Sequence, residues 1–333
     1  MNSELGRIAD ALERIATALE KLTSEEKAPF SKTNQNNKNA QIPQIIAPST
    51  PTKPANLPKN KPVNPTIPKT KLPNNNKTPK LPTSTEIGVL HKYLEKQGIT
   101  VQKPKKKVTP EKMAYQVKLE ELALFLGQNF ATCKDLYRLL KVNMLAPRKP
   151  FSYSLIGASA EQNKLIRQFC QLLKDADFLE EFNYRGKPEF DIQLKASGKE
   201  QKFLSGAWLE YYVKFELDRI VKPYAAKTGQ PYEALPNLQI IFKDKTKAEL
   251  DLFFALGESI FCLEAKTQPV LANLKTWLNR VKPMGLENKA IMIVTLDKSE
   301  KECRKLGQEL GNITIARLDN LEPTIHSLLG IQK

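Results

Sequence analysis

Residues 248–267 read AELDLFFALGESIFCLEAKT. Two apolar runs of strand length flank Gly257-Glu258, a pair suited to a two-residue hairpin turn. Charges interrupt both runs. Asp251 breaks up Leu250, Leu252, Phe253 and Phe254, while Glu264 and Lys266 break up Ile260, Phe261, Cys262, Leu263 and Ala265. Burying a charge is costly unless it is paired or holds a metal ion. With Gly257-Glu258 as the turn, Leu256 faces Ser259, every later pair keeps the same sum of residue numbers, and Asp251 falls opposite Glu264. Residues two apart on a strand share a face, so Lys266 joins Glu264. The hairpin therefore predicts a cluster of one Asp and an E-x-K.

Around this hairpin, residues 203–333 predict an α/β sandwich with a mixed sheet: a helix over 203–221, strands over 238–243, 248–255, 259–266, 290–295 and 314–318, and helices between the later strands. Two carboxylates a few ångströms apart repel unless a cation lies between them, and hard oxygen ligands select Mg²⁺ or Mn²⁺. Such an ion polarises a phosphate, while Lys266 orients a water and neutralises developing charge. The alternative is an Asp251 or Glu264 ion pair with Lys266 that only specifies the sheet. The helix after the cluster turns Leu271, Leu274, Leu278 and Val281 toward the sheet and offers Lys275, Arg280 and Lys282 to nucleic-acid phosphates or simply to water. Trp208 and Trp277, flanked by apolar residues, read as core.

Gly206-Ala207-Trp208-Leu209-Glu210, Glu249-Leu250-Asp251 and Cys262-Leu263-Glu264-Ala265-Lys266-Thr267 together resemble the motifs of PD-(D/E)XK nucleases. They are most similar to the restriction-like domain of CRISPR-associated nucleases activated by cyclic oligoadenylate. The resemblance implies a restriction-endonuclease-like αβββαβ core over residues 200–333. It implies that Asp251 and Glu264 bind the metal with the Ala265 carbonyl, that Glu210 completes the site, and that Lys266 is catalytic, with Gln268 contributing. Defence or mobile-element biology follows from the same likeness. Those nucleases carry an N-terminal sensor domain that this chain replaces with other segments, so control by cyclic oligoadenylate is not carried over. The opening Pro of the motif is also absent.

Upstream, residues 84–199 predict a helical or winged-helix module. A helix over 84–98 ends at Gly98, and Lys103, Lys105, Lys106 and Lys107 follow it. Thr109-Pro110 opens a helix to 129, with further helices over 132–142 and 159–174. Strands over 177–184 and 189–195 enclose a basic tip whose Arg185 and Lys187 are candidate nucleic-acid contacts. Equally, the module can be a cap that only packs on the following domain. Residues 27–83 hold twelve Pro, ten Lys and no acid, a composition that builds no core and reads as a disordered linker. Treated as a flexible coil it spans about 40 Å. Residues 1–26 place Leu5, Leu12 and Leu19 at heptad a positions and Ile8, Ile15 and Leu22 at d, with Ala9, Ala11, Ala16 and Ala18 beside them. That pattern predicts a coiled coil and a homo-oligomer, a tetramer before a trimer or dimer.

Composition narrows the function. The net charge of +16 suits a polyanion, and no apolar run approaches the ~18 residues of a bilayer span, so the expectation is a cytoplasmic protein without membrane contact. Only His91 and His326 occur, which removes His-metal nucleases, HExxH proteases and Ser-His-Asp hydrolases. No phosphate-binding or dinucleotide glycine loop is present. Cys133, Cys170, Cys262 and Cys303 form no C-x-x-C pair and read as buried thiols. The reading is a Mg²⁺- or Mn²⁺-dependent nuclease acting on DNA before RNA. The competing class is a non-catalytic oligomeric scaffold that binds nucleic acid and keeps the cluster as a structural ion pair.

Overall fold

Local signals place most of the helices. The computed structural model describes residues 88–102, 109–144, 149–184, 189–195, 197–296 and 298–331. The expected coil (1–26), the linker (27–83), Lys103, Lys105, Lys106, Lys107, Arg185 and Lys187 lie outside these residues. Helix α1 (Val89–Lys96) starts at Gly88, later than 84, and ends before Gly98. Thr109 caps α2 (Pro110–Gln128) by accepting from the Lys112 N–H, with Pro110 in the first turn, where its missing N–H costs nothing. Helix α3 (Phe130–Asn143) follows directly. Ser159 and Gln162 form a reciprocal capping box at α4 (Ala160–Asp175).

Strand β2 (Phe151–Ser154), unforeseen because it is so short, completes a three-stranded antiparallel sheet with β3 (Leu179–Tyr184) and β4 (Glu189–Leu194) in the order β2-β4-β3. A short helix, α5 (Lys199–Lys202), then passes through a π-turn at Phe203–Ala207 into α6 (Trp208–Thr228). Helix α6 continues past Pro223 beyond its expected end at 221 and stops at Gly229.

The second sheet has six strands in the order β1-β5-β6-β7-β8-β9. Strands β1 (Thr100–Val101), β5 (Tyr232–Ile241), β6 (Lys247–Leu256) and β7 (Ser259–Lys266) pair antiparallel, whereas β8 (Ile291–Thr295) and β9 (Thr314–Arg317) continue parallel to β7. Helices α7 (Leu271–Val281), α8 (Glu300–Glu309) and α9 (Leu321–Leu329) alternate with the later strands. Strand β5 begins six residues before the expected 238 and contains Pro236. β1 pairs only with Ile240 and Ile241, so Pro236 lies on an open edge where it withholds no ladder donor.

One face of this sheet packs on α6, and through α6 on α2, α3, α4 and the small sheet, in one continuous core. Trp208 sits at its centre, 5.5 Å from the Phe130 ring and 5.6 Å from Tyr137. The approach of α2 to α6 requires Gly127, because a Cβ there would lie 2.2 Å from the Tyr212 ring. The other face packs on α1, α7 and α8. On α7, Leu274, Trp277 and Val281 are buried, and the expected Leu271 and Leu278 are only partly so. All four cysteines are buried free thiols.

Candidate functional site at a fork in the sheet

The hairpin register follows the expected sum, from Leu256↔Ser259 to Leu252↔Leu263. Gly257 takes the turn at φ +61°, a conformation glycine adopts without strain. The ladder then stops one pair short of Asp251 and Glu264. The Ala265 N–H donates to Asp251 Oδ2 at 2.8 Å, so a side-chain carboxylate stands where a backbone carbonyl of β6 would continue the ladder. Beyond this point β7 stays with β8, up to Lys266↔Thr295, and β6 stays with β5, down to Lys247↔Ile241. The sheet forks at the carboxylates.

Alternation in β6 also breaks here. Leu250 and Phe253 both belong to the core under α1, α7 and α8, although they are three residues apart. Opposite the break on β5, Asn237 has φ +51°. Asp251 is thus released from its layer and reaches Lys266 while facing the N-terminal turn of α6. The N–H and C=O of one strand residue point to the same side, so the Ala265 carbonyl faces the fork along with its N–H.

Lys266 Nζ lies 2.5 Å from Glu264 Oε1 and 3.5 Å from Asp251 Oδ2. Glu264 is 3 % exposed and Asp251 9 %. Burial, then the Asp251 charge, pushes the Glu264 carboxyl up to about 8. Burial also raises Asp251, against the pull of Lys266 and the Ala265 N–H. Glu210, in the first turn of α6, rises to about 7 through burial and the Asp251 charge. For Lys266 burial pulls downward, but Glu264 and Asp251 outweigh it and the ammonium is held above its usual value. Carboxylate exceeds ammonium in this cluster, so every member retains protons more tightly than in water.

Such an excess attracts a cation. Glu264 Oε2 is buried without a hydrogen-bond partner, and Asp251, Glu210 and the Ala265 carbonyl add oxygen donors of the type hard divalent ions take. Among the described residues no three His, Cys, Asp or Glu side chains already converge as a ligand set, and Lys266 spans the two strand carboxylates.

Gln268 is exposed beyond β7 with no hydrogen bond to the cluster. Helix α7 starts at the fork end and runs away from it, since β8 must begin at the hairpin end to lie parallel to β7. Lys275 remains within two turns of the fork. Arg280 and Lys282 are carried about 14 to 17 Å along the axis toward the opposite end, which removes them from the immediate site.

Thr295 and Lys202 escaped the sequence reading, and Glu249 entered it only as part of a quoted motif, with no role. Thr295 is the register partner of Lys266, fully buried, with Oγ1 unpartnered. Glu249 raises both Asp251 and Glu210, and Lys202 lowers Glu210. A hydroxyl closing the apolar run IMIVT was the available signal for Thr295. Thr267 Oγ1 donates to the Ser205 carbonyl at 2.8 Å and ties the end of β7 to the π-turn that leads to Glu210.

No family model matches this chain, and no curated protein does. Among solved structures, protein VC1899 from Vibrio cholerae is similar at a TM-score of 0.47 and 18 % identity, over 72 % of this chain and 60 % of that one. The chain thus spans less than two thirds of the length of that protein.

Proposed function

We propose that the chain is a divalent-metal-dependent nuclease of the PD-(D/E)XK type, with a restriction-endonuclease-like core in residues 200–333. The observation that carries the reading is the pair of buried carboxylates, Asp251 and Glu264, with the half-buried Lys266 between them at the fork and Glu264 Oε2 left unpartnered. Asp251, Glu264 and the Ala265 carbonyl would hold Mg²⁺ or Mn²⁺, with Glu210 beside them. When bound, the ion supplies the positive charge that polarises a phosphodiester and acidifies the attacking water.

The chain's own groups do the rest. The Ala265 N–H fixes Asp251 through Oδ2 and leaves Oδ1 for a ligand. Lys266 stays an ammonium and donates hydrogen bonds toward a phosphate oxygen or the incoming water. Glu210, near 7, exchanges a proton at neutral pH. DNA is the preferred substrate before RNA, the three helices and small sheet are a winged-helix module, and residues 1–26 assemble the chain into a tetramer in the cytoplasm.

Lys266 contacting both carboxylates is also what a structural ion pair would show, and this supports the second reading, a non-catalytic scaffold. Incubating plasmid, single-stranded DNA and RNA with the protein in Mg²⁺, Mn²⁺ or EDTA separates the two. Cleavage that requires a divalent ion and Asp251 supports the nuclease. Intact nucleic acid in both metals overturns it.

A further inference from the structure

The fork leaves one arm of the sheet projecting past the site. Beyond Leu252 the β6 strand pairs only with β5, and β5 with the short β1 at Ile240 and Ile241, forming a ribbon closed by residues 242–246. On one face of the ribbon Leu238, Ile240, Phe242, Ala248 and Leu250 are buried against the core that α1 and α7 cover. Alternation turns Gln239, Lys247 and Glu249 to the other face, and all three are exposed. That open face leads directly to Asp251, two residues beyond Glu249.

The tip is fixed. Lys245 N–H donates to the Phe242 carbonyl and Phe242 N–H to the Thr246 carbonyl, both at 2.9 Å. Asp244 Oδ1 accepts from the Thr246 N–H at 2.9 Å and its hydroxyl at 2.6 Å, so the one acid of the tip is spent on the turn. Lys243 and Lys245 are exposed there, and with Lys247 they form no ion pair among the described residues. Asp251 lies four residue steps along the strand from Lys247, about 13 Å at the rise of a β-strand. A duplex rises ~3.4 Å along its axis per phosphate of one strand, so an arm laid along that axis reaches about four phosphates.

We propose that the β5–β6 ribbon is a phosphate-binding arm. Lys247 on its open face and Lys243 and Lys245 at its tip hold the nucleic-acid backbone where it leaves the fork. The proposal rests on the nuclease reading for the direction of the strand. It adds a contact surface distinct from Lys275, Arg280, Lys282, Arg185 and Lys187. Glu249, the one acid on the open face, belongs with the carboxylate cluster, to which it couples.

The test uses the full chain carrying Asp251→Ala, so that binding is read without cleavage. Affinity for a labelled short DNA duplex and the RNA of the same sequence is measured against salt concentration. Neutralising the arm with K243Q/K245Q/K247Q should reduce the slope of log affinity against log salt by about 2 to 3 and weaken binding at least tenfold at low salt. R280Q/K282Q, which removes two charges at the far end of α7, should change the slope by less than about 1. An unchanged slope in the triple variant, or an equal change in R280Q/K282Q, overturns the arm. Should the triple variant melt early, K245Q alone decides, with an expected change of about 1. If the Asp251→Ala chain binds neither nucleic acid, the arm and the nuclease reading both fail. If it binds through the arm but the parent cuts nothing in either metal, only the nuclease reading fails.

Discussion

Replacing Glu264 by Gln should stabilise the metal-free protein at alkaline pH and remove much of its pH dependence. A carboxyl raised from 4.5 to about 8 keeps a proton in the native state that the unfolded chain has already released. Between those values the native state binds more protons, so this group's contribution is largest below pH 4.5, falls as pH rises, and levels off above about 8. Acting alone, that interval corresponds to about 5 kcal/mol. Part of the effect belongs to the neighbouring Asp251 charge, and Lys266 loses its partner in the variant. The expected gain for E264Q at pH 8 is therefore about 1 to 4 kcal/mol, below that ceiling.

Glu210, raised to about 7, and Asp251, also raised, add losses of the same sign as pH rises and remain in E264Q, so the variant keeps part of the slope. Lys266 and Asp218 act outside this window. Lys266, raised above 10.5, contributes stability that is lost only above that pH. Asp218 is lowered because bonds from Lys214, Lys222 and Tyr232 outweigh its burial, and its contribution is lost as pH falls through acid values. Urea unfolding in EDTA from pH 5 to 8.5 measures the effect. Mg²⁺ or Mn²⁺ at a hundredfold excess over its Kd should restore about 2.7 kcal/mol to the parent, and less to E264Q. A parent whose stability is flat or rising from pH 5 to 8, matched by E264Q, would refute the buried-carboxylate account.

Asp251→Ala and Lys266→Ala should each lower divalent-dependent cleavage at least a hundredfold while the melting curve stays cooperative, as read by plasmid nicking and circular dichroism. Thr295→Val should leave stability within about 1 kcal/mol, because the hydroxyl has no partner to lose, but should shift the pH profile of cleavage if Thr295 Oγ1 orients Lys266; Thr295→Ser should behave as parent. Deleting residues 1–26, or changing Ile8 and Ile15 to Asp, should reduce the mass seen by light scattering from a tetramer to a smaller species, and an unchanged mass removes the coil as the assembly element.

What the sequence disclosed was local. The Gly257 turn and the two apolar runs set the register as far as Leu252↔Leu263, and Thr109 and Ser159 announced their helices. What it hid depends on contacts between distant segments. Strand counting alone pairs Asp251 with Glu264, whereas the Ala265 N–H and the break in alternation at Asp251 decide where the carboxylate goes. The β5–β6 arm is invisible for the same reason, since Lys243, Lys245 and Lys247 read as an ordinary charged turn until the fork gives them a direction. Arg280 and Lys282 read as site residues because sequence proximity cannot show that α7 runs away from the fork.

The division between residues 84–199 and 200–333 is weaker in the structure than the order of elements and the resemblance imply. Helix α6 is buried on both sides, against the six-stranded sheet and against α2 and α3, and no apolar boundary separates the two sets of side chains. Phe130 and Tyr137 of α3 pack on Trp208 in the first turn of α6, and Tyr137 Oη donates to the Leu204 carbonyl at 2.8 Å. That carbonyl lies in the π-turn whose Ser205 carbonyl accepts from Thr267, the residue after Lys266. The segment that positions Glu210 is therefore held from one side by the helical module and from the other by the end of β7. The helical module built this way is part of the support of Glu210 rather than an appendage to it.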